Sequence, residues 1–330
     1  MSPNASVSSY PRLLGDVGGT NARFAWASEA GAEIGDIVSY RCADQVSLHA
    51  AITRYLGELG KPSPSACAIG IANPIVGDVV QMTNHHWSFS IAQLKRELAV
   101  QRLAVVNDFT ALALSLPALR AEQMHQIGGG ESVAGEALAV LGAGTGLGVA
   151  GLLAVGGGRY APIAGEGGHA TLAAVEDDEI ALTAWLKARF GHASAERALS
   201  GPGLVNLYQA SAQFAGRSGE LLITPAQVTA AARDQRDPDC LAALDLFFRL
   251  LGSFAGNLAL THGARGGVYV GGGIVPRLLP ELRASRFRER FEAKGRFSNY
   301  LAGVPTFVID SAVSPALIGA SRALDAQPLG

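Results

Sequence analysis

The sequence predicts an α/β protein of two domains, on three observations. Its 330 residues are roughly two domains' worth of chain, enough to bury a sizeable core. Short apolar runs alternate with helix-spaced patterns, the arrangement that builds sheets covered by helices. One plan also recurs: "LLGDVGGTNARFAWA" (Leu13–Ala27) and "VLGAGTGLGVAGLLA" (Val140–Ala154) each read apolar run, glycine-rich bend, apolar run. Each bend carries a threonine, Thr20 or Thr145, and such self-similarity implies two related halves.

In order, strands are expected at Arg12–Leu14, Ala66–Ala72, Leu103–Val106, Ala137–Leu141, Gly267–Val270 and Thr306–Ile309. Helices are expected at Ser47–Leu59, Asp178–Phe190 and Cys240–Gly263, the last with Phe247 and Phe248 as core residues. The charged stretch "RASRFRERFEAKGRF" has helical spacing and reads as a solvated face.

Composition narrows the function. With 48% hydrophobic and 16% charged residues the chain is a folded globular one. A net charge of −2 gives no footprint for nucleic acid or an anionic membrane, which leaves small-molecule chemistry. Three cysteines, Cys42, Cys67 and Cys240, lie too far apart for a zinc motif, and their odd number argues against a disulfide framework. "MSPNASVSSYPR" has no secretory apolar core, and no uninterrupted apolar run is long enough for a bilayer. The expectation is a soluble cytoplasmic protein.

The glycine bends are either structural turns or phosphate sites, since glycine lets backbone N–H groups close on an anion. No Walker loop is present. A GxGxxG match at Gly146, Gly148 and Gly151 runs into an apolar stretch instead of a helix, so it lacks the helix N-terminus a pyrophosphate needs. A phosphate gripped by two hairpins remains, with Asp16 placed to bridge a Mg²⁺ ion. A third bend, "GVYVGGGIVPRLL" (Gly267–Leu279), leads towards a helix with Pro276 near its first turn, and its glycines would let an adenosine lie against the backbone.

Candidate carboxylates follow the strands. Asn107 and Asp108 end an apolar run, where α/β sheets bind ligands, although an aspartate there also reads as an ordinary helix cap. Glu166 and His169 stand among glycines in "APIAGEGGHATL" and suit a polyhydroxy ligand better than a metal. Glu196 is either a further ligand or a surface charge. The adjacent histidines of "NHHW" (Asn84–Trp87) would point to opposite sides of a strand, a poor chelating geometry.

Taken together, "GDVGGTNARFA", "IANPIVGDVVQMTNHHWSFS", "VVNDFTALA", "LGAGTGLG", "AGEGGHATLA", "ERALSGPGLVNLY" and "GGVYVGGGI" resemble, in order, the bacterial ATP-dependent glucokinase family, over Leu13 to Leu324. The resemblance implies a two-domain actin-like, ribonuclease-H-like sugar kinase fold with a deep interdomain cleft. It implies a small domain of residues 1–116 completed by a C-terminal helix within 311–330, and a large domain of residues 117–310. ATP would be held by Gly15, Asp16, Val17, Gly18, Gly19, Thr20, Asn21 and Arg23, by Gly144, Thr145 and Gly146, and at the adenosine end by Gly271 and Gly272. Asp16 would face Mg²⁺. Glucose would be bound by Asn107, Asp108, Glu166, His169 and Glu196, with Asp108 as the base that activates its 6-hydroxyl. The implied activity is ATP-dependent formation of glucose 6-phosphate, the first step of glycolysis. The resemblance further implies a homodimer.

Overall fold

The computed structural model describes residues 9–83, 85–217, 224–311 and 313–326. They gather into two compact units, one running to Leu119 and resuming at Ser311, the other spanning Arg120–Asp310. In the first, β1 (Arg12–Val17) and β2 (Asn21–Ala27) form an antiparallel hairpin that β3 (Gly35–Arg41) extends. Helix α1 (Leu48–Glu58) starts where the Ser47 side chain accepts the Ala50 N–H, and buries Leu48, Ala51, Ile52 and Tyr55 along one face. It leads to β4 (Ala66–Ile71), which is buried at every position, as a strand covered on both faces must be. A short pair, β5 (Val79–Gln81) and β6 (Ser88–Ser90), and α2 (Ile91–Glu97) come before β7 (Arg102–Asn107) and α3 (Asp108–Ser115). The sheet order is β3-β2-β1-β4-β7, with β1, β4 and β7 parallel.

The second unit repeats the plan. After β8 (Met124–Ile127), β9 (Leu138–Ala143) and β10 (Leu147–Ala154) form an antiparallel hairpin, extended by β11 (Tyr160–Gly165). Helices α4 (Asp177–Phe190), α5 (Gly201–Phe214), α6 (Pro225–Arg233) and α7 (Pro238–His262) separate this hairpin from β12 (Gly267–Gly271). The short helices α8 (Leu279–Ala284), α9 (Phe287–Glu292) and α10 (Ser298–Ala302) then lead to β13 (Thr306–Ile309). The order is β11-β10-β9-β12-β13-β8, with β9, β12 and β13 parallel. With β8 set aside, it matches the first sheet strand for strand, so the sequence repeat is a repeat of topology. Helix α11 (Pro315–Ala326) belongs to the first unit and packs on α3.

Helix α7 has 25 residues and a mean hydropathy of 1.3 over its most apolar window, enough by length and composition to cross a bilayer although polar residues interrupt it. Yet 72% of that window is buried in the unit, around the edge-on pair Phe247 and Phe248, so it is a core helix.

Two sequence expectations need correcting. The stretch Arg283–Phe297 is not a solvated face: Arg290 is only 5% exposed and pairs with Glu176 and Glu179, and Arg288 donates to the carbonyls of Leu301, Ala302 and Val304. Arg286, Arg288 and Arg290 face carboxylates and carbonyls of neighbouring segments, while Arg283 and Arg296 are exposed. The histidines of "NHHW" also do not diverge. His85 and His86 lie outside the strands, and their ring centroids are 4.2 Å apart with the planes tilted by 37°, while Asn84 lies outside the described residues.

Candidate active site

The first glycine bend closes β1 onto β2 in three residues, Gly18, Gly19 and Thr20, with the Gly18 N–H donating to the Asn21 carbonyl at 2.9 Å. The Thr20 carbonyl accepts from the Cys42 N–H at 2.8 Å, and the Cys42 thiol donates to the Gly18 carbonyl, so the bend is braced from β3's end. Gly15 is closely packed: a Cβ there would stand 3.3 Å from Ile69 on β4. Asp16 and Arg23 are opposite one another in the β1–β2 register and form an ion pair at 3.0 Å. Ser314, just before α11, donates to the same carboxylate oxygen at 2.8 Å. Nothing in the sequence links Ser314 to Asp16, which stand 298 positions apart.

At the carboxyl end of β7 the helix cap is Asn107. Its Oδ1 accepts the N–H groups of Phe109 at 2.9 Å and Thr110 at 3.2 Å. Its amide Nδ2 donates to Asp108 Oδ1 at 3.0 Å, and the Phe109 N–H reaches that same oxygen at 3.0 Å. Asp108 is therefore the first helical residue, and its carboxylate is held by donors on either side. Asn107 Nδ2 is also 3.4 Å from the Asn73 carbonyl, while Asn73 Oδ1 accepts both the N–H and the hydroxyl of Thr83. Buried Asn73 thus holds the "IANP" turn beside the cap, a role that only the tertiary contact reveals.

In the second unit the bend Gly144–Thr145–Gly146 closes β9 onto β10, the Gly144 N–H donating to the Gly146 carbonyl at 2.8 Å. Gly148 and Gly151 lie inside β10, so the GxGxxG spacing is part of a strand. Gly272, at φ 84°, abuts the end of β9: a Cβ there would come within 2.4 Å of the Ala143 carbonyl. The second and third bends are therefore neighbours.

Glu166 and His169 flank the short turn Gly167–His169 and are both exposed. The turn is fitted onto the start of β10. A Cβ on Gly168 would stand 2.1 Å from the Leu147 carbonyl, and one on Gly167 would stand 3.0 Å from Val149. The segment continues into the Thr171–Ser194 bridge, and the Ala195 N–H donates to the Ala170 carbonyl at 2.9 Å. Glu196, in the turn Ala195–Arg197, is no loose surface charge, because its Oε2 accepts the Leu147 N–H at 3.0 Å. Leu147 thus meets both groups, a link with no sequence signal because it runs through backbone atoms. A cavity of about 290 Å³ lies nearby, lined by Gly165, Gly167 and Ala170 and by Leu250, Phe254 and Leu258 of α7. None of the expected site residues lines it, and its apolar walls suit neither phosphate nor sugar.

The metal expectation can be tested on the donors present. Among the described residues no three carboxylate, imidazole or thiol groups cluster to hold an ion. Asp16 is a single carboxylate with one oxygen engaged by Arg23 and Ser314. That set fits Mg²⁺ arriving with a nucleotide, since this ion takes one or two carboxylates and keeps water and phosphate oxygens for its remaining positions.

Known proteins match this chain in sequence and in fold. The glucokinase family pattern matches residues 13–327. The chain is 53% identical to the glucokinase of Aromatoleum aromaticum over 98% of its own length and 97% of the relative's. It is 50% identical to that of Cupriavidus metallidurans over 96% and 94%. Among solved structures, a glucokinase from an Antarctic psychrotroph superposes with a TM-score of 0.88 at 37% identity, covering 96% of this chain and 99% of that one. A ROK family glucokinase from Streptomyces griseus, solved with glucose and AMPPNP, shares the fold at a TM-score of 0.63 and 18% identity, covering 97% of this chain and 100% of its own.

Proposed function

The chain belongs to the glucokinase family, phosphorylation of glucose by ATP is its activity, and we propose that Asp108 is the base of that reaction. Asp108 takes the proton of the sugar's 6-hydroxyl as that oxygen attacks the γ-phosphorus in line. The bond to the bridging oxygen breaks, and its electron pair leaves with ADP. The observation that supports this role is the held carboxylate: two donors, the Asn107 amide and the Phe109 N–H, fix Oδ1 at the mouth of a parallel strand. A carboxylate held in one orientation is the positioning that phosphoryl transfer draws on, because the chemistry asks little else of the protein.

Asn107, Glu166, His169 and Glu196 take the remaining sugar hydroxyls, carboxylates accepting and amide donating. The stretch from Gly15 through Gly18, Gly19 and Thr20 to Arg23, and the bend at Gly144, Thr145 and Gly146, hold the phosphates through backbone N–H groups. Gly271 and Gly272 leave room for adenosine. Asp16 holds Mg²⁺, which when bound neutralises charge on the phosphates. The described thiols, all free and buried, support a cytoplasmic location, and we propose a homodimer, which light scattering at the expected doubled mass would bear out and a monomer mass would refute.

The test is a coupled assay of ADP release with ATP and Mg²⁺ over a panel of hexoses. Rapid turnover with glucose and little with mannose, fructose or N-acetylglucosamine is expected. Glucose binding by calorimetry without turnover on any hexose would instead make the chain a sugar-responsive binder.

A further inference from the structure

The residues at the start of β10 do more than close a hairpin. The Leu147 N–H donates to Glu196 Oε2, while Gly146, one residue earlier, leaves the space this oxygen occupies: a Cβ there would stand 2.4 Å from Oε2 and 3.3 Å from the carboxyl carbon. The segment carrying Glu196 is tied to the bend a second time, through the Gly201 N–H and the Gly144 carbonyl at 2.8 Å. Ser200 locks that segment internally, its hydroxyl donating to the Glu196 carbonyl at 2.7 Å and accepting the Gly203 N–H at 3.0 Å. Bend and carboxylate are therefore one mechanical piece.

We propose that Gly146 and the Leu147 amide are positioning elements for the sugar: they set where the Glu196 carboxylate stands, and glycine at 146 is required by Glu196 as well as by any phosphate. This rests on the assignment of Glu196 to glucose made above. A side chain at 146 must push the carboxylate away, because a Cβ within 3 Å of an oxygen is not tolerated and the flexible glutamate is the partner that yields.

The experiment is a double-mutant cycle between Gly146→Ala and Glu196→Asp, with glucose KM, ATP KM and kcat measured for all four proteins and folding checked by thermal unfolding. Gly146→Ala should raise the glucose KM about tenfold or more, the scale of losing a hydrogen bond to a charged group. Glu196→Asp should raise it in the parent chain. In the Gly146→Ala background the shorter side chain withdraws from the new methyl, so the same change should lower the glucose KM, a reversal of sign that loss of phosphate contacts would not produce. Additive effects of Glu196→Asp in both backgrounds, or a glucose KM within twofold of the parent in Gly146→Ala, would overturn the proposal. If Glu196→Gln alone left glucose affinity intact in calorimetry, the assignment of Glu196 itself would fall. Should Gly146→Ala fail to fold, the parent chain labelled with [¹⁵N]leucine answers the question. The Leu147 amide resonance should move on glucose saturation and lose its hydrogen-bonded downfield shift in Glu196→Ala; an amide indifferent to both would refute the link.

Discussion

The pair Asn107–Asp108 shows what one residue of offset decides. An aspartate after a buried strand reads first as a helix cap and only then as a catalytic base, because a cap and a base ask for the same side chain. The structure separates the two: Asn107 Oδ1 closes the first turn, so the Asp108 carboxylate is not required for it. Asp108→Asn should therefore lower kcat by about 10²–10⁴-fold, the contribution of proton transfer, while calorimetry still registers glucose. Near-normal turnover would remove Asp108 from the mechanism. Asn107→Asp makes a finer test. It keeps the capping oxygen but exchanges the amide donor for a second negative charge beside Asp108, and like charges disfavour ionisation. The melting temperature should fall at neutral pH and recover in acid, kcat should fall, and the acid limb of the kcat/KM profile should move to higher pH. A profile unmoved on the pH axis would show that the Asn107 amide has no part in tuning the base.

At the scale of elements, the strands made legible by the sequence were the buried ones, whereas the equally buried α5 was not foreseen. The hairpins β1–β2 and β9–β10 and the parallel strands β4, β7, β12 and β13 all announce themselves as apolar runs, and the two-copy bend foretold the shared strand order. The edge strands β3 and β11 did not: most of their positions face solvent, and β11 carries Pro162, so nothing in their pattern separates them from loop. The contact between α3 and α11 was equally hidden, since it rests on the absence of a side chain. A Cβ on Gly319 would fall 1.5 Å from the Ala111 carbonyl oxygen. Helix propensity alone predicts that Gly319→Ala stabilises by roughly 1 kcal/mol. The close approach outweighs this, because the two helices must part, at about 1–3 kcal/mol for an overpacked interface. Since α3 begins with Asp108, the melting temperature and kcat should fall together, whereas Arg322→Ala on the exposed face of α11 should leave both unchanged. A gain in stability from Gly319→Ala would show that the helices are not in register as described.

For the molecule as a whole, one feature that contributes to its response to acid is the ionic cluster joining α4, α7 and α9. Arg249 and Arg290, each 5% exposed, share the wholly buried Glu179 and also reach Glu176, while Arg249 engages Asp178 and Asp245 as well. Charges so enclosed are matched only as a set, and removing one partner strands the rest, so Arg249→Met should cost about 3–5 kcal/mol in urea unfolding. A loss below 1 kcal/mol would mean that the cluster is effectively solvated. The pH dependence follows from the carboxylates at its rim. Arg286 donates to Glu176, with Arg249 and Arg290 adding to the attraction, and Arg249 donates to Asp178; both carboxyls are held below their ordinary values in the folded chain. A carboxyl whose folded value is depressed gives up its proton more readily when folded, so its stabilisation is complete above the unfolded value. It is lost as the pH falls through the folded one. The double change Glu176→Gln with Asp178→Asn should accordingly lower the melting temperature at pH 7, by an amount that starts to shrink as the pH falls through the ordinary carboxyl range and goes on shrinking as the depressed folded values are passed. Other acidic groups of the parent, such as Glu58 and Glu289, are also held below their ordinary values by arginine partners, and comparing parent with variant cancels them. A difference in melting temperature that stayed constant from pH 7 to pH 3 would assign the cluster's stability to packing instead of charge.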